Sequence, residues 1–167
     1  NKGLEIIEAR WLFDVDVQNI DVVVHRQSII HSLIEFVDNS VLAQLGLPDM
    51  RIPIQYALTY PDRFESPVKP LNLWDVGTLT FDKPDYDTFK CLNACKDALR
   101  IGGTAPAIAN GANEAANELF RSGKLKFLQI GELVSESIKA IKAQPINNVD
   151  DVLSADKAAR DFVLGRV

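Results

Sequence analysis

A helix is predicted for the opening stretch of the chain, which reads Asn1-Lys2-Gly3-Leu4-Glu5-Ile6-Ile7-Glu8-Ala9-Arg10-Trp11. Its apolar residues Leu4, Ile7 and Trp11 recur at helical spacing, and we expect them to form the buried face of a helix that ends near Phe13. Asn1 is a favourable N-cap residue, because its side-chain oxygen can accept a hydrogen bond from a free N–H group of the first turn.

Two residues of this helix are unfavourable for local stability. Lys2 lies in the first turn, where the helix dipole disfavours a cation, and Gly3 costs roughly 1 kcal/mol relative to alanine. Such choices are expected where function overrides helix propensity. Asn1, Lys2 and Glu5 are spaced so that all three can face one place. They predict a site for a phosphate-like anion, with a divalent cation between that anion and Glu5. The alternative is a surface helix end with solvated charges.

Composition and charge exclude several classes of protein. The 167 residues are 47% hydrophobic and 25% charged, which is ordinary for one or two globular domains. A net charge of −5, without a block of lysine and arginine, does not support a nucleic-acid partner. No apolar run reaches the length of a membrane span, and no signal-peptide pattern opens the chain.

The cysteines and histidines limit the possible metal chemistry. Cys91 and Cys95 are four residues apart on a predicted helix, and we expect them to pack as small hydrophobic side chains in a reducing compartment. His25 and His31 are the only histidines, which excludes a histidine-rich metal site. The chain begins at Asn1 without a methionine, so we expect it to be part of a longer protein.

Residues 1–60 are predicted to form helices packed on a small mixed sheet. Residues 20–24 are a β-branched run typical of a buried strand, and residues 29–37 alternate as a second strand. An Asp-Asn-Ser turn then leads to a third strand at 41–45. Glycine and proline indicate a loop after it, and Asp49 is a suitable cap for a helix over residues 50–59.

The rest of the chain is predicted to form a connector and a helical bundle. Residues 61–85 contain four of the eight prolines and read as an extended connector with one short strand near residues 79–81, held by packing of its apolar side chains. Residues 86–167 show amphipathic helical patterns joined by short loops, which indicates a compact bundle. The fold class expected for the whole chain is α/β of the α+β type. The four helices are predicted over residues 85–100, 104–121, 130–141 and 149–163.

Four stretches of the chain resemble the 1-deoxy-D-xylulose 5-phosphate reductoisomerase family, from the middle of its catalytic domain to its C-terminus. Each stretch is short, but their common order and spacing run through nearly the whole chain. They are residues 1–9, residues 25–32, residues 41–46 with 48–51, and residues 103–107 with 112–114.

This resemblance implies an NADPH-dependent enzyme of non-mevalonate isoprenoid synthesis that converts deoxyxylulose phosphate to methylerythritol phosphate. It implies Mg²⁺ or Mn²⁺ as a Lewis acid on the substrate oxygens. The family's Asn-Lys-Gly-Leu-Glu motif falls on Asn1, Lys2 and Glu5: the first two bind the substrate, including its phosphate end, and Glu5 ligates the metal. It also implies a homodimer that forms through sheet and connector, in the bacterial cytoplasm or a plastid stroma.

Further matching positions imply further roles. His31 corresponds to a histidine close to the substrate, although a histidine on a strand face is more often a core residue. Pro48 and Met50 correspond to the loop near the nicotinamide and the substrate backbone, where we expect a packing wall. Ala112-Asn113-Glu114 is expected to be structural.

The chain departs from the family pattern in two ways. Arg26 stands where the family commonly has proline, which adds a charge but affects none of the expected ligands. The nucleotide-binding domain, the Asp-x-Glu pair that completes the metal site, and the phosphate-binding serines are not in this sequence. We therefore expect the chain to be inactive alone. Two alternatives remain: a related oxidoreductase with another phosphorylated or carboxylated substrate, or a non-catalytic binding or assembly module.

Overall fold

The computed structural model describes residues 1–167 and contains seven α-helices, one 3₁₀ turn and two β-strands. Together the small sheet and the helices confirm the predicted α/β fold class. No helix is both long enough and apolar enough to cross a membrane. In chain order the elements are α1 (Lys2–Phe13), the 3₁₀ turn (Val17–Asn19), β1 (Ile30–Glu35), β2 (Val41–Leu45), α2 (Arg51–Thr59), α3 (Leu73–Val76), α4 (Lys90–Ile101), α5 (Ala105–Arg121), α6 (Phe127–Ala140) and α7 (Val149–Leu164).

The chain folds as two compact units, which are described separately. The helical unit comprises Asn1–Val22 and Pro84–Val167, and the hairpin unit comprises Val23–Lys83. This grouping differs from the predicted division into residues 1–60, 61–85 and 86–167. The reason is that α1 packs on α4 and so belongs with the later helices.

Helix α5 is the centre of the helical unit and packs on α4, α6 and α7. Its alanine-rich face lets the neighbouring helices approach closely. At Gly111, a methyl group would lie 2.6 Å from the carbonyl oxygen of Asp156 in α7. The residues predicted to face inward are all buried, which confirms this part of the bundle: Ile108, Ala112, Ala115 and Leu119.

The junction between α4 and α5 depends on Gly103. Its φ is +53°, in the left-handed region that favours glycine. The next residue, Thr104, is 2% exposed and is bonded twice to the segment after α6. Its N–H donates to the carbonyl of Gln144 at 2.9 Å, and the Gln144 N–H donates to its hydroxyl at 3.0 Å. The Gly-Thr-Ala-Pro-Ala stretch therefore fastens this junction to the end of α6.

We expect Gly103→Ala to destabilise the protein by about 3 kcal/mol. The new methyl carbon would lie 2.2 Å from the Gln144 carbonyl oxygen, so backbone strain and overpacking add together. Gly123→Ala is the matched control, because Gly123 also has a positive φ, +77°, with nothing within 4 Å of a methyl group. It should cost about 1 kcal/mol. Urea unfolding measures the free energy of unfolding of both variants. Equal losses in the two variants would contradict the role of the Gln144 carbonyl.

The hairpin unit is built on two antiparallel strands. Glu35 pairs with Val41 and Ile30 with Leu45, and an irregularity in the register lies between Ile30 and Ser32. The hairpin is as predicted, but the sheet has only these two strands. The strand predicted over residues 20–24 is wrong, because only Val24 finds a partner, in a single bridge to Asp82. The strand predicted near residues 79–81 is absent for the same reason.

Several predicted boundaries and buried positions need correction. Helix α4 begins at Lys90, five residues late, because the Asp85 carboxylate accepts the Thr88 N–H at 3.0 Å and forms a turn there. Trp11 is 68% exposed rather than buried, since α1 buries Gly3 and Ile6 instead. In the connector, the side chain of Trp74 is 92% exposed within this chain. The predicted packing of the connector's apolar side chains is therefore wrong for Trp74.

Candidate functional site

The first turn of α1 gathers the three residues that the sequence singled out. The Asn1 amide and the Lys2 ammonium each donate to a different oxygen of the Glu5 carboxylate. Asn1 occupies the N-cap position, as predicted, but the predicted capping hydrogen bond from its side chain is absent. The physical reason is that the charged carboxylate one turn on is a strong acceptor for its N–H groups.

Gly3 has a packing role that the sequence did not reveal. It is buried against α4, where a methyl group in its place would lie 2.7 Å from Sγ of Cys95 and 3.0 Å from the carbonyl oxygen of Cys91. Its low helix propensity therefore reflects a close helix contact, as well as any functional demand. Ile6, 2% exposed, is the other buried residue of α1.

Both cysteines pack as the sequence predicted. They form no disulfide, and Cys95 is buried while Cys91 is partly buried. Burial raises the pKa of the Cys91 thiol, and burial together with the neighbouring Cys91 raises the pKa of Cys95 to about 11. Both thiols are therefore neutral at physiological pH and act as small apolar groups.

A cleft of about 420 Å³ opens beside the first turn of α1. Its polar wall combines Asn1 and Lys2 with three side chains of α5, namely Asn113, Glu114 and Asn117. Asn113 and Glu114 were expected from the sequence to be structural, and Asn117 was not predicted. The available signal was a pair of amides four residues apart in an otherwise alanine-rich helix. The cleft thus extends a polar surface from the predicted anion site.

The carboxylate that the sequence analysis assigns to a metal site is that of Glu5. No group of three or more His, Cys, Asp or Glu side chains could hold an ion. Glu5 fits the role of a single ligand, because its side chain is 41% exposed and its oxygens are held by groups that an ion could replace. A six-coordinate Mg²⁺ needs further oxygens from substrate, water or other protein segments.

In the hairpin unit, His31 is bonded to the loop that follows β2. Its Nε2 lies 3.1 Å from the carbonyl oxygen of Gly46. A carbonyl can only accept, so Nε2 carries the proton, and in the neutral ring Nδ1 keeps a free lone pair. His31 is exposed. It therefore fixes the start of the loop that carries Pro48 and Met50 and can still accept a hydrogen bond from a ligand.

The loop between β2 and α2 is fixed by Asp49 and Arg51. The Asp49 carboxylate accepts the Arg51 N–H at 2.9 Å and pairs with its guanidinium at 2.6 Å. Asp49 was predicted as the cap of α2, but Met50 occupies the N-cap position; Asp49 instead lies one residue earlier and holds Arg51. The side chain of Met50 is 69% exposed, so it is available as an apolar wall for a ligand.

The Asp49 carboxyl should titrate far below its usual range. Hydrogen bonds and charge from Arg51 lower its pKa from 3.8 to about 2. Because the folded pKa is depressed, this ion pair supports the loop above pH 4 and is lost as pH falls toward 2. An NMR titration of the side-chain carboxyl carbon measures this directly. In Arg51→Ala the midpoint should return toward 3.8, and an unchanged midpoint would contradict the assigned cause.

Arg26 forms an ion pair within the hairpin unit. Its guanidinium lies 3.6 Å from a carboxylate oxygen of Asp82. Next to it, His25 donates from Nδ1 to the Thr80 carbonyl at 2.9 Å and accepts the Ile29 N–H at 3.2 Å. Arg26 therefore helps to hold the segment around Asp82 beside the hairpin.

Comparison with known proteins defines the class of protein, the reductoisomerases. Residues 45–162 match the family model described as DXP reductoisomerase C-terminal domain, and the chain belongs to this family. It is 52% identical over 164 residues to a protein of Bacillus pumilus named 1-deoxy-D-xylulose 5-phosphate reductoisomerase, covering 98% of this chain and 43% of that protein. A Clostridium botulinum protein of the same name is 51% identical over 163 residues, covering 98% and 42%.

Solved structures agree with this assignment. The reductoisomerase of Zymomonas mobilis in complex with NADPH has a TM-score of 0.93 and 37% identity, covering 99% of this chain and 44% of that one. A DOX-P reductoisomerase in complex with NADPH, fosmidomycin and magnesium has a TM-score of 0.92 and 40% identity, covering 99% and 43%. The chain thus spans less than half the length of the relatives it matches.

Proposed function

We propose that this chain is the substrate- and metal-binding C-terminal portion of an NADPH-dependent reductoisomerase. The reaction is conversion of 1-deoxy-D-xylulose 5-phosphate to 2-C-methyl-D-erythritol 4-phosphate. The observation that supports it most is the first turn of α1, where an amide, an ammonium and a carboxylate converge in a chain of this family. Relatives that carry the name of this enzyme, and structures with NADPH and magnesium, support the same reading.

In the helical unit, the charge of each polar residue of the first turn would determine what it binds. Lys2 supplies a cation for the substrate phosphate, and Asn1 supplies amide donors and an acceptor to substrate oxygens. Glu5 supplies one carboxylate ligand to Mg²⁺ or Mn²⁺. When bound, the metal polarises the substrate oxygens. Before substrate arrives, the contacts of Glu5 with Asn1 and Lys2 hold the three side chains together.

The residues of the hairpin unit would orient the substrate rather than react with it. His31 offers its Nδ1 to a substrate hydroxyl while its Nε2 stays bonded to Gly46. Pro48 and Met50 form an apolar wall near the nicotinamide of NADPH. Such a wall excludes water and limits the positions that the reacting groups can take.

The direct test is turnover by the full-length gene product. We expect NADPH consumption that needs both deoxyxylulose phosphate and Mg²⁺, and mass spectrometry should identify methylerythritol phosphate. The 167-residue chain alone is the comparison and should be inactive. Turnover only with a different phosphorylated or carboxylated substrate would replace the proposal with a related oxidoreductase. A protein that consumes no NADPH with any such substrate would be a binding or assembly module.

We also propose that the full-length protein is a homodimer, located in the bacterial cytoplasm or a plastid stroma. The hairpin supports an interface, because both strands expose large apolar side chains: Ile34 is 61% and Leu42 65% exposed. The free cysteines suit a reducing compartment. Sedimentation equilibrium should give twice the monomer mass, and a monomer at micromolar concentration would contradict the dimer.

A further inference from the structure

The close contact between α1 and α4 lies in the same helical turn as the predicted substrate and metal ligands. We call it the Gly3 contact, formed by Gly3, the side chain of Cys95 and the backbone of Cys91. A methyl carbon at position 3 would meet Cys95 Sγ at 2.7 Å, the Cys91 carbonyl oxygen at 3.0 Å and Cys95 Cβ at 3.1 Å. Real Cβ atoms essentially never approach another atom within 3.0 Å, so α1 lies nearer to α4 at this point than a residue with a Cβ would allow.

The position of the contact ties it to the site. Gly3 separates Lys2 from Leu4 in the first turn, and Glu5 follows two residues later. Asn1 and Lys2 are both bonded to Glu5, so the three polar side chains form one linked group on this turn. A shift of the turn relative to α4 therefore moves the whole group, while the deeper contact of Ile6, 2% exposed, stays further along the helix.

From this geometry we propose that Cys95 is a positioning residue for the reductoisomerase reaction. Its side chain sets the distance of α1 from α4 at Gly3 and thereby sets where Lys2 and Glu5 stand. The expected effect on kcat rests on the proposed function. The expected effect on the position of the first turn rests only on the helix contact. Position 3 is then a glycine because α1 packs closely on α4 there, and not because of flexibility or ligand binding.

The first test is Gly3→Ala in the full-length gene product. A displacement of about 1 Å can cost roughly 100-fold in rate, and the crowding here needs a smaller shift, so we expect about a tenfold loss of kcat. The affinity for Mn²⁺, measured by electron paramagnetic resonance, should fall as well, since Glu5 moves. Thermal unfolding should change little, because alanine raises helix propensity while the contact is strained.

The second test is rescue by a smaller neighbour. Cys95→Ala removes the nearest atom, so the Gly3→Ala/Cys95→Ala pair should recover about half of the tenfold loss on a logarithmic scale, or threefold. Recovery is partial because the Cys91 carbonyl and the Cβ at position 95 remain. Cys91→Ala is the matched control in the same helix, because the Cys91 atom nearest to a methyl group at position 3 is its backbone carbonyl oxygen, at 3.0 Å, which this substitution keeps. The Gly3→Ala/Cys91→Ala pair should stay as slow as Gly3→Ala.

A further control separates positioning from stability. Gly111→Ala crowds α5 against α7, with a methyl carbon 2.6 Å from the Asp156 carbonyl oxygen, and Gly111 is not among the residues that line the cleft beside α1. It should lower thermal stability without a matching loss of kcat. Equal losses of kcat in Gly111→Ala and Gly3→Ala at equal folded fraction, or equal rescue by both cysteine variants, would overturn the inference.

The failure of this inference can be told apart from failure of the proposed function. If the unmodified protein shows no turnover of deoxyxylulose phosphate, the proposed function has failed. A crystal structure of Gly3→Ala still tests the contact, because it shows whether residues 1–5 have moved away from α4. An unmoved first turn would overturn the inference even in an active enzyme.

Discussion

Glu5→Gln should lower kcat/KM of the full-length protein by at least 1,000-fold, which corresponds to about 4 kcal/mol of transition-state stabilisation. Glutamine keeps the size of the side chain, and its one amide oxygen can still accept a hydrogen bond from Lys2 or Asn1, so the turn should stay folded. What it loses is the negative charge that a Mg²⁺ ligand supplies. The pair with Lys2 is exposed, with side-chain exposures of 55% and 41%, so its loss should cost stability less than about 1 kcal/mol.

Two measurements separate this prediction from general damage. The apparent affinity for Mn²⁺, followed by electron paramagnetic resonance with substrate bound, should weaken along with turnover. Glu8→Gln is the matched control, because Glu8 is an exposed carboxylate one turn further on the same helix, and it should leave both quantities unchanged. Activity near that of the unmodified protein with Mg²⁺ in Glu5→Gln would remove Glu5 from the metal site.

Lys2→Ala should raise KM for deoxyxylulose phosphate about 100-fold while kcat changes only a few-fold. Removing one partner of a close charge pair costs about 3 kcal/mol, and the phosphate is bound equally in the ground and transition states, so the loss falls on KM. The variant should also bind inorganic phosphate more weakly in calorimetry. Higher ionic strength should reduce the difference between the variant and the unmodified protein.

Lys124→Ala is the control for the loss of a positive charge. Lys124 is exposed in the segment between α5 and α6, away from the residues that line the cleft, and its variant should keep the original KM. An unchanged KM in Lys2→Ala would show that the ammonium of this first turn does not bind the phosphate. In that case its pairing with Glu5 would be only a surface ion pair.

Much of the helical unit was predictable because its sequence repeats a strong signal. The inward face of α5 follows from alanines and aliphatic residues at helical spacing, and every residue predicted for it is buried. The start of α7 follows from acidic residues in its first turn, where Asn148 accepts the Asp151 N–H at 3.2 Å. These features are local, so the pattern of neighbouring residues is enough to identify them.

The short apolar runs were less informative. Residues 20–24 have a suitable strand composition, but a strand forms only where a second strand pairs with it, and here the pairing ends after one bridge. Trp11 has the right spacing for a buried face, yet the face of α1 that contacts α4 is centred on Gly3 and Ile6. A glycine carries no hydrophobic signal, so periodicity assigned the wrong face.

The sequence by itself determined the family, the helices of the bundle, the hairpin and the gathering of Asn1, Lys2 and Glu5 on one turn. Each of these depends on residue types at short spacing. The hydrogen bond from the Asn1 amide to Glu5 is equally local, since the two residues are four apart. That Asn117 lines the cleft and that Gly3 lies against Cys95 could not be predicted. These two features depend on how closely helices distant in sequence approach one another, and no single stretch of sequence encodes that distance.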